Sequence, residues 1–125
     1  MRSFVASRMD YKSLFLVGDA GHIVPPTGAK GLNSAITDVT LLATGLINHY
    51  AGDDTALAGY GAASLGNQWR VQQFSQWMTE LLHRDTTDLQ SADFNYRSQR
   101  GRLDYVSRSV HAQRALAEQY TGLGF

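Results

Sequence analysis

Two kinds of hydrophobic pattern divide this chain. Residues 14–17 form a run of four apolar side chains bounded by turn residues, which is typical of a short buried strand. After Gly31, apolar residues recur at spacings of three and four, which is typical of a helix with one buried face. That predicted buried face comprises Leu32, Ala35, Ile36, Val39, Leu42, Ala43, Leu46, Ile47 and Tyr50. The chain is therefore predicted to be mostly α-helical, with one or two short strands.

Turn residues and apolar spacing indicate the remaining elements. Residues 4–6 are a candidate second strand, which would pair with residues 14–17 across the segment 10–13. Gly52 is placed to end the first helix. Further helices are predicted over residues 55–83 with a kink or break near Gly66, over 88–100 up to an interruption at Gly101, and over 103–119 before Gly122. A turn and helix cap are predicted at residues 85–88. Two tryptophans and a phenylalanine within residues 69–77 predict dense packing in the second of these helices.

The segment between the strand and the first helix reads GDAGHIVPPTGAKGLN, residues 18–33. Pro25 and Pro26 predict a stiff, extended connection, because proline fixes its own φ and restricts the residue before it. Gly28 and Gly31 give the backbone freedom to turn and allow close approach of a ligand. A strand, a stiff glycine-bearing loop and a helix N-terminus together present backbone N–H groups to an electron-rich ligand.

Composition excludes several functional classes. The 125 residues are enough for one domain, and 11 basic side chains balance 11 acidic ones, so no basic surface for nucleic acid is indicated. The absence of cysteine excludes disulfides and thiolate chemistry. No apolar run approaches the roughly 20 residues of a membrane helix, and the first residues lack the features of a signal peptide. A cytoplasmic protein that binds neither membrane nor nucleic acid is expected.

Two common ligand motifs are also missing from the sequence. The chain contains no G-x-G-x-x-G segment between a strand and a helix, and the residues around Lys30 do not have the spacing of a phosphate-binding loop. The four histidines do not have metal-ligand spacing, so no metal site is predicted.

The segment GDAGHIVPPTGAKGLN resembles the second FAD-binding segment of the single-component flavoprotein aromatic hydroxylases. RSFV near the start, FSQWMTELLHR at 74–84 and QYTGL at 119–123 are also similar to the last third of such enzymes. The clear departure is Gly21, where the family often has alanine. The resemblance implies an α/β parent fold that binds FAD and NAD(P). This chain would be its single C-terminal piece, with a strand and flavin-contacting loop over residues 2–33 and a helical region over 34–125.

The resemblance also implies cofactor-binding residues. Asp19 would bind the ribityl chain of FAD, and the backbone at the start of the first helix would face the pyrimidine edge of the flavin. The positive end of the helix dipole would then stabilise the reduced, anionic flavin. Lys30 would add positive potential there. The complete predicted cofactor-binding set is Gly18, Asp19, Lys30, Gly31, Leu32 and Asn33.

Substrate-binding and catalytic residues follow from the same resemblance. The Pro26 carbonyl would accept a hydrogen bond from the phenolic hydroxyl of the substrate, and Thr27 would lie against the substrate ring. Tyr120 would join a hydrogen-bond chain that draws the proton from the phenol. His22 would belong to the scaffold of the loop. Pro26 and Tyr120 are therefore the candidate catalytic residues.

Each of these positions also has a simpler interpretation. Asp19 is typical of a turn that caps local N–H groups, and a lysine such as Lys30 is commonly solvated. The first helix would be an ordinary one in which Asn33 or Ser34 satisfies the free N–H groups. The proline pair would be a stiff connector, and Tyr120 would be a packing or surface residue.

The sequence therefore supports two hypotheses of function. In the first, the chain is part of an FAD- and NADPH-dependent monooxygenase that hydroxylates a phenolic acid such as 4-hydroxybenzoate. It would need a missing N-terminal flavin-binding part, would be inactive by itself and could form a homodimer. In the second, the chain is a non-catalytic helical module that forms oligomers, because unpaired strand edges and apolar helix faces favour association.

Overall fold

A computed structural model describes residues 3–83 and 91–122, and the chain divides into two compact units after Ser75. The first unit contains four two-residue strands, a 3₁₀ turn over Gly18–Ala20, the helix α1 over Gly31–Tyr50, and most of the helix α2 over Thr55–Leu82. The second unit contains the end of α2, the helix α3 over Ala92–Arg108 and the helix α4 over Val110–Thr121. The turn and cap predicted for residues 85–88 lie outside the described residues.

The strands form two small antiparallel pairs. Strand β1, Phe4–Val5, pairs with β4, His22–Ile23, and strand β2, Asp10–Tyr11, pairs with β3, Leu14–Phe15. Lys12 has a positive φ of 55° in the two-residue turn between β2 and β3, as expected for a tight hairpin.

The predicted pairing of residues 4–6 with residues 14–17 is therefore wrong. Asp10 and Tyr11, which were expected in the connecting loop, pair with Phe15 and Leu14, and this leaves β1 free to pair with β4. Only Leu14–Phe15 of the predicted strand is in a β ladder, and Leu14 is exposed. The partners of residues 14 and 15 are therefore residues 11 and 10 of the same short hairpin.

Helix α1 has the predicted length, but the helix face that is buried is different from the predicted one. Its buried residues are Ser34, Asp38 and Gly45, which share one side at helical spacing. An exposed apolar stripe, named the α1 apolar face, comprises Leu32, Ile36, Val39, Ala43, Leu46, Ile47 and Tyr50. Gly45 explains the close packing, because a Cβ there would lie 3.0 Å from the Leu57 Cα of α2. Gly52, with φ 95°, follows the end of α1 as predicted.

Helix α2 continues through Gly66, so the predicted break there is absent. One of its glycines has a packing reason: a Cβ on Gly61 would collide with the Asp10 carboxylate of β2. The predicted dense aromatic packing is only partly present. Phe74 is buried and Trp77 is half-buried, whereas Trp69 is 61% exposed.

The break between the last two helices lies at Ser109 rather than at Gly101. Helix α3 runs through Gly101, where a Cβ would meet nothing within 4 Å. Ser109 has extended backbone angles, and its hydroxyl accepts the amide N–H of Ala112 at 3.2 Å, which caps α4. Gly122, with φ 90°, follows α4 as predicted. No described helix has a stretch both long and apolar enough to cross a bilayer.

Candidate functional site

The turn after β3 places Asp19 at the surface. Gly18 is buried with φ 58°, a backbone conformation that favours glycine, and it begins the 3₁₀ turn that carries Asp19. Asp19 is exposed, and within the described part of the chain its carboxylate accepts no hydrogen bond. Its interpretation as a residue that caps local N–H groups is therefore wrong. The carboxylate is available to hydroxyl groups of a ligand.

A tight turn follows the two prolines. The Ala29 N–H donates to the Pro26 carbonyl oxygen at 3.0 Å, and both Gly28 and Ala29 have positive φ, at 97° and 52°. Pro26 is exposed, and Thr27 is half-buried. A carbonyl oxygen has two lone pairs, so the Pro26 oxygen retains one for a second donor.

The ring of Phe74 on α2 packs against this turn at Gly28. Phe74 is 2% exposed, and a Cβ on Gly28 would lie 3.2 Å from its ring. The Lys30 ammonium lies 5.2 Å from the centre of the same ring, at the distance of a cation–π interaction. Lys30 is only 8% exposed, and burial lowers the pKa of its ammonium. The interpretation of Lys30 as a solvated surface lysine is therefore wrong.

Helix α1 begins without a side-chain cap. Lys30 is the residue before its first turn, and no side chain accepts the first free N–H groups. The Ser34 hydroxyl donates to the Gly31 carbonyl instead, so the prediction that Asn33 or Ser34 satisfies these groups is wrong. Among the described residues, the N–H groups of Gly31, Leu32 and Asn33 have no acceptor. Leu32 and Asn33 are exposed, and a Cβ on Gly31 would meet nothing within 4 Å.

These features fit the electron-rich edge of a flavin. Three open N–H groups at a helix N-terminus provide donors and about half a positive charge, and the nearly buried Lys30 lies beside them. Across the described residues, no group of three or more side chains suited to a metal ion is present.

A buried polar cluster holds the turn at Gly18 against α1 and α2. The Asp38 carboxylate, fully buried, accepts the Gly18 N–H at 3.0 Å and lies 2.6 Å from His22 Nε2 through its Oδ2. Its Oδ1 accepts the Ser64 hydroxyl at 2.7 Å and the Gln68 amide at 3.3 Å. We name these five residues the Asp38 cluster. His22 thus has a scaffold role in contact with this turn.

Sequence reasoning missed Asp38. The available signal was that the sequence of α1 contains one carboxylate and no lysine, arginine or glutamate, so this lone charge lies within an otherwise uncharged amphipathic helix. An isolated carboxylate of this kind is commonly buried with partners rather than solvated, because the rest of the helix offers it no ion pair.

Tyr120 belongs to the second compact unit, whereas the other candidates belong to the first. It lies on α4 and is 52% exposed. Its predicted part in proton transfer stays a prediction.

Comparison with known proteins gives a family match and a match to a curated relative. A family model described as "FAD binding domain" matches residues 1–75, which is the first compact unit. A p-hydroxybenzoate hydroxylase from Acinetobacter baylyi is 43% identical over the whole of this chain, and the chain spans 30% of the length of that relative.

Proposed function

The chain belongs to the FAD binding domain family, and from that premise we propose that it forms part of a flavin monooxygenase that hydroxylates a phenolic acid such as 4-hydroxybenzoate. NADPH is the proposed source of electrons. The observation that carries the proposal is the uncapped start of α1, where three open N–H groups lie beside the buried Lys30. A capping side chain commonly satisfies one of these groups, as the Ser109 hydroxyl does at α4.

The proposed cofactor contacts use groups that the chain leaves available. The Asp19 carboxylate would accept hydrogen bonds from the polyol chain of FAD, and the N–H groups of Gly31, Leu32 and Asn33 would donate to its pyrimidine edge. FAD, when bound, supplies the redox and oxygen-transfer chemistry. The protein would supply orientation and a positive potential from the helix N-terminus and Lys30.

The proposed substrate contacts lie on the adjoining turn. The Pro26 oxygen would accept the phenolic hydroxyl through its remaining lone pair, and Thr27 would lie against the ring. Tyr120 would receive the phenolic proton through hydrogen bonds, which raises the electron density of the ring. The position of Pro26 next to a turn with two positive φ values supports a rigid acceptor.

The α1 apolar face supports a further part of the proposal. Helix α1 has no lysine, arginine or glutamate and its aspartate is buried, so the α1 apolar face carries no charged side chain and is flanked by uncharged polar groups such as Thr40 and Thr44. Such a face is typical of a helix that is covered on both sides. We propose that the N-terminal flavin-binding part, which would carry the missing G-x-G-x-x-G segment, covers it. The isolated chain would then bind FAD weakly or not at all and would have no hydroxylase activity.

The same exposed face also favours the second candidate function, a helical module that associates with further copies of itself. Light scattering on the purified chain separates the two ideas. A monomer of 13.8 kDa would remove the second candidate, whereas a stable oligomer would support it.

The main experiment uses a hybrid hydroxylase. In it, this chain replaces the matching 30% of the A. baylyi relative. The hybrid is expected to purify with bound FAD and to hydroxylate 4-hydroxybenzoate with NADPH, while the 125-residue chain purifies colourless. Asp19→Asn in the hybrid is expected to weaken FAD binding.

Two results would overturn the proposal. One is a hybrid that is folded by circular dichroism but takes up no FAD at saturating concentration. The other is an isolated chain that purifies with stoichiometric flavin, since this would show that no further part is required. The control is Asn67→Asp on α2, which changes the charge by one unit in the opposite direction outside the proposed FAD contacts.

A further inference from the structure

Helix α1 provides two parts of the proposed FAD site. One is the set of open N–H groups at its start, and the other is the Asp38 carboxylate, which holds the turn that carries Asp19. The Asp38 side chain lies less than two helical turns after Asn33, and its Oδ2 accepts the Gly18 N–H at 3.0 Å. The turn also packs directly on the helix, because a Cβ on Gly18 would lie 3.2 Å from the Ala35 Cβ. Both halves of the proposed FAD site therefore depend on the same helix.

The two carboxylate oxygens of Asp38 bind different partners. Oδ2 binds the Gly18 N–H and His22, whereas Oδ1 binds the Ser64 hydroxyl and the Gln68 amide. A backbone N–H is always a donor, so the Gly18 contact requires an acceptor. The Oδ1 contacts are adaptable, because a hydroxyl can rotate and the Gln68 amide can turn over to present its Oε1, which has no partner among the described residues.

We propose that Asp38 is a positioning residue of the FAD site. Its Oδ2 fixes the backbone at Gly18, and through it the position of Asp19 relative to the open N–H groups of α1. The assignment of the ligand rests on the proposed function, whereas the contact between Asp38 and Gly18 does not. Asp38 does not itself touch the cofactor. Its effect on binding is indirect and specific to the oxygen that faces Gly18.

The first test uses the full 125-residue chain without flavin. Hydrogen exchange of the Gly18 N–H, followed by NMR, is expected to accelerate about ten- to a hundredfold in Asp38→Ala relative to the amides of α2, which corresponds to the loss of a hydrogen bond to a charged acceptor. In Ser64→Ala the Gly18 rate is expected to follow the α2 amides. Equal acceleration at Gly18 in both variants would overturn the separate role of Oδ2.

The second test measures FAD affinity in the hybrid hydroxylase. Asp38→Ala is expected to weaken FAD binding about ten- to a hundredfold. Asp38→Asn is expected to keep most of the affinity of the unsubstituted hybrid. Its single oxygen can accept the Gly18 N–H, while its amide nitrogen donates to the Ser64 hydroxyl and the Gln68 Oε1, which become acceptors. If Asp38→Ala does not fold, Asp38→Ser takes its place, since its hydroxyl is too short to reach Gly18.

The matched control is Ser64→Ala, which disturbs the same cluster on the other oxygen. It is expected to lower stability and to weaken FAD binding much less than Asp38→Ala does. An affinity loss in Ser64→Ala equal to that in Asp38→Ala, or none in either, would overturn the positioning role. A hybrid that binds no FAD even without substitutions would overturn the proposed function instead, and hydrogen exchange at Gly18 would still decide whether the contact with Asp38 holds the turn.

Discussion

The two compact units are stabilised by different kinds of contact. In the first, buried and partly buried hydrogen bonds join residues far apart in the chain. The Ser64 hydroxyl donates to the buried Asp38 carboxylate at 2.7 Å, and Gln72 donates to the Ile23 carbonyl at 2.8 Å. In the described part of the second, most hydrogen bonds of side chains lie along one helix, as in the exposed pair Asp93–Arg97 at 2.8 Å. Gln99 is an exception, because it donates to the Glu80 and His83 carbonyls at the end of α2.

This difference indicates how closely each unit can fix the positions of its backbone segments. Long-range polar contacts in a dry environment require particular partners in particular positions, so they determine the backbone at the turn of Asp19 closely. Helix-local ion pairs at the surface stabilise a helix but do not fix its position relative to another element. A finely positioned ligand site is therefore expected in the first unit, where all the predicted cofactor contacts lie.

The largest expected effect is a difference in the loss of unfolding free energy between substitutions of two aspartates, Asp38 and Asp93. Asp38→Ala in the first unit is expected to lower the free energy of unfolding by about 3 to 5 kcal/mol, because it leaves the buried Gly18 N–H and His22 without an acceptor. Asp93→Ala in the second unit removes a partner from an exposed ion pair, and a change below about 0.5 kcal/mol is expected. Urea denaturation measures both. Similar losses in the two variants would contradict the comparison.

A smaller loss of unfolding free energy is expected at Gly21, where the first unit is tightly packed against Met9. A Cβ on Gly21 would lie 2.5 Å from Met9 Cε, and Met9 is fully buried, so Gly21→Ala is expected to cost about 1 to 3 kcal/mol. Met9→Val shortens the colliding side chain. A double-mutant cycle is expected to show that part of the loss is recovered, and strict additivity would mean that the two residues do not compete for space.

Tyr60 provides a test by pH. Burial, with a further contribution from the charge of Asp38, raises the pKa of Tyr60 to about 12. Above about pH 10 the unfolded chain releases this proton and the folded chain keeps it, so the first unit loses stability as the pH rises from about 10 to 12. Tyr60→Phe is expected to cost about 1 kcal/mol at neutral pH and to remove this part of the alkaline loss. Parallel stability–pH curves of the two proteins would contradict the assignment.

The smallest expected effect is a gain in the second unit. Gly101 lies within α3, and its Cβ would have free space, so Gly101→Ala is expected to raise helix stability by about 0.5 to 1 kcal/mol. Gly45→Ala is the matched control in the first unit, where the Leu57 backbone at 3.0 Å opposes the same gain in helix propensity. A larger gain at Gly45 than at Gly101 would reverse the expected contrast between the units.

Local sequence patterns predicted where the helices begin and end better than they predicted what each helix or strand packs against. The bounds of α1 followed from the apolar spacing after Gly31 and from Gly52, since both signals act within a few residues. The prediction failed for the face of α1 that is buried, because apolar spacing identifies a stripe suited to burial without identifying what covers it. It also failed for strand partners, because β1 and β4 are separated by sixteen intervening residues.

The mainly helical character of the chain could be predicted from its sequence, and the motif of residues 18–33 led to a flavin-binding family, in agreement with the FAD binding domain match. Both depend on information contained in short segments. Three features became apparent only in the folded chain: Lys30 is buried over Phe74, α1 begins with open N–H groups, and Asp38 holds Gly18. The contacts of Lys30 and Asp38 depend on atoms brought together from distant segments, and the N–H groups stay open because no such atom among the described residues reaches them. The cost of burying a polar group is set by whether such a partner is present.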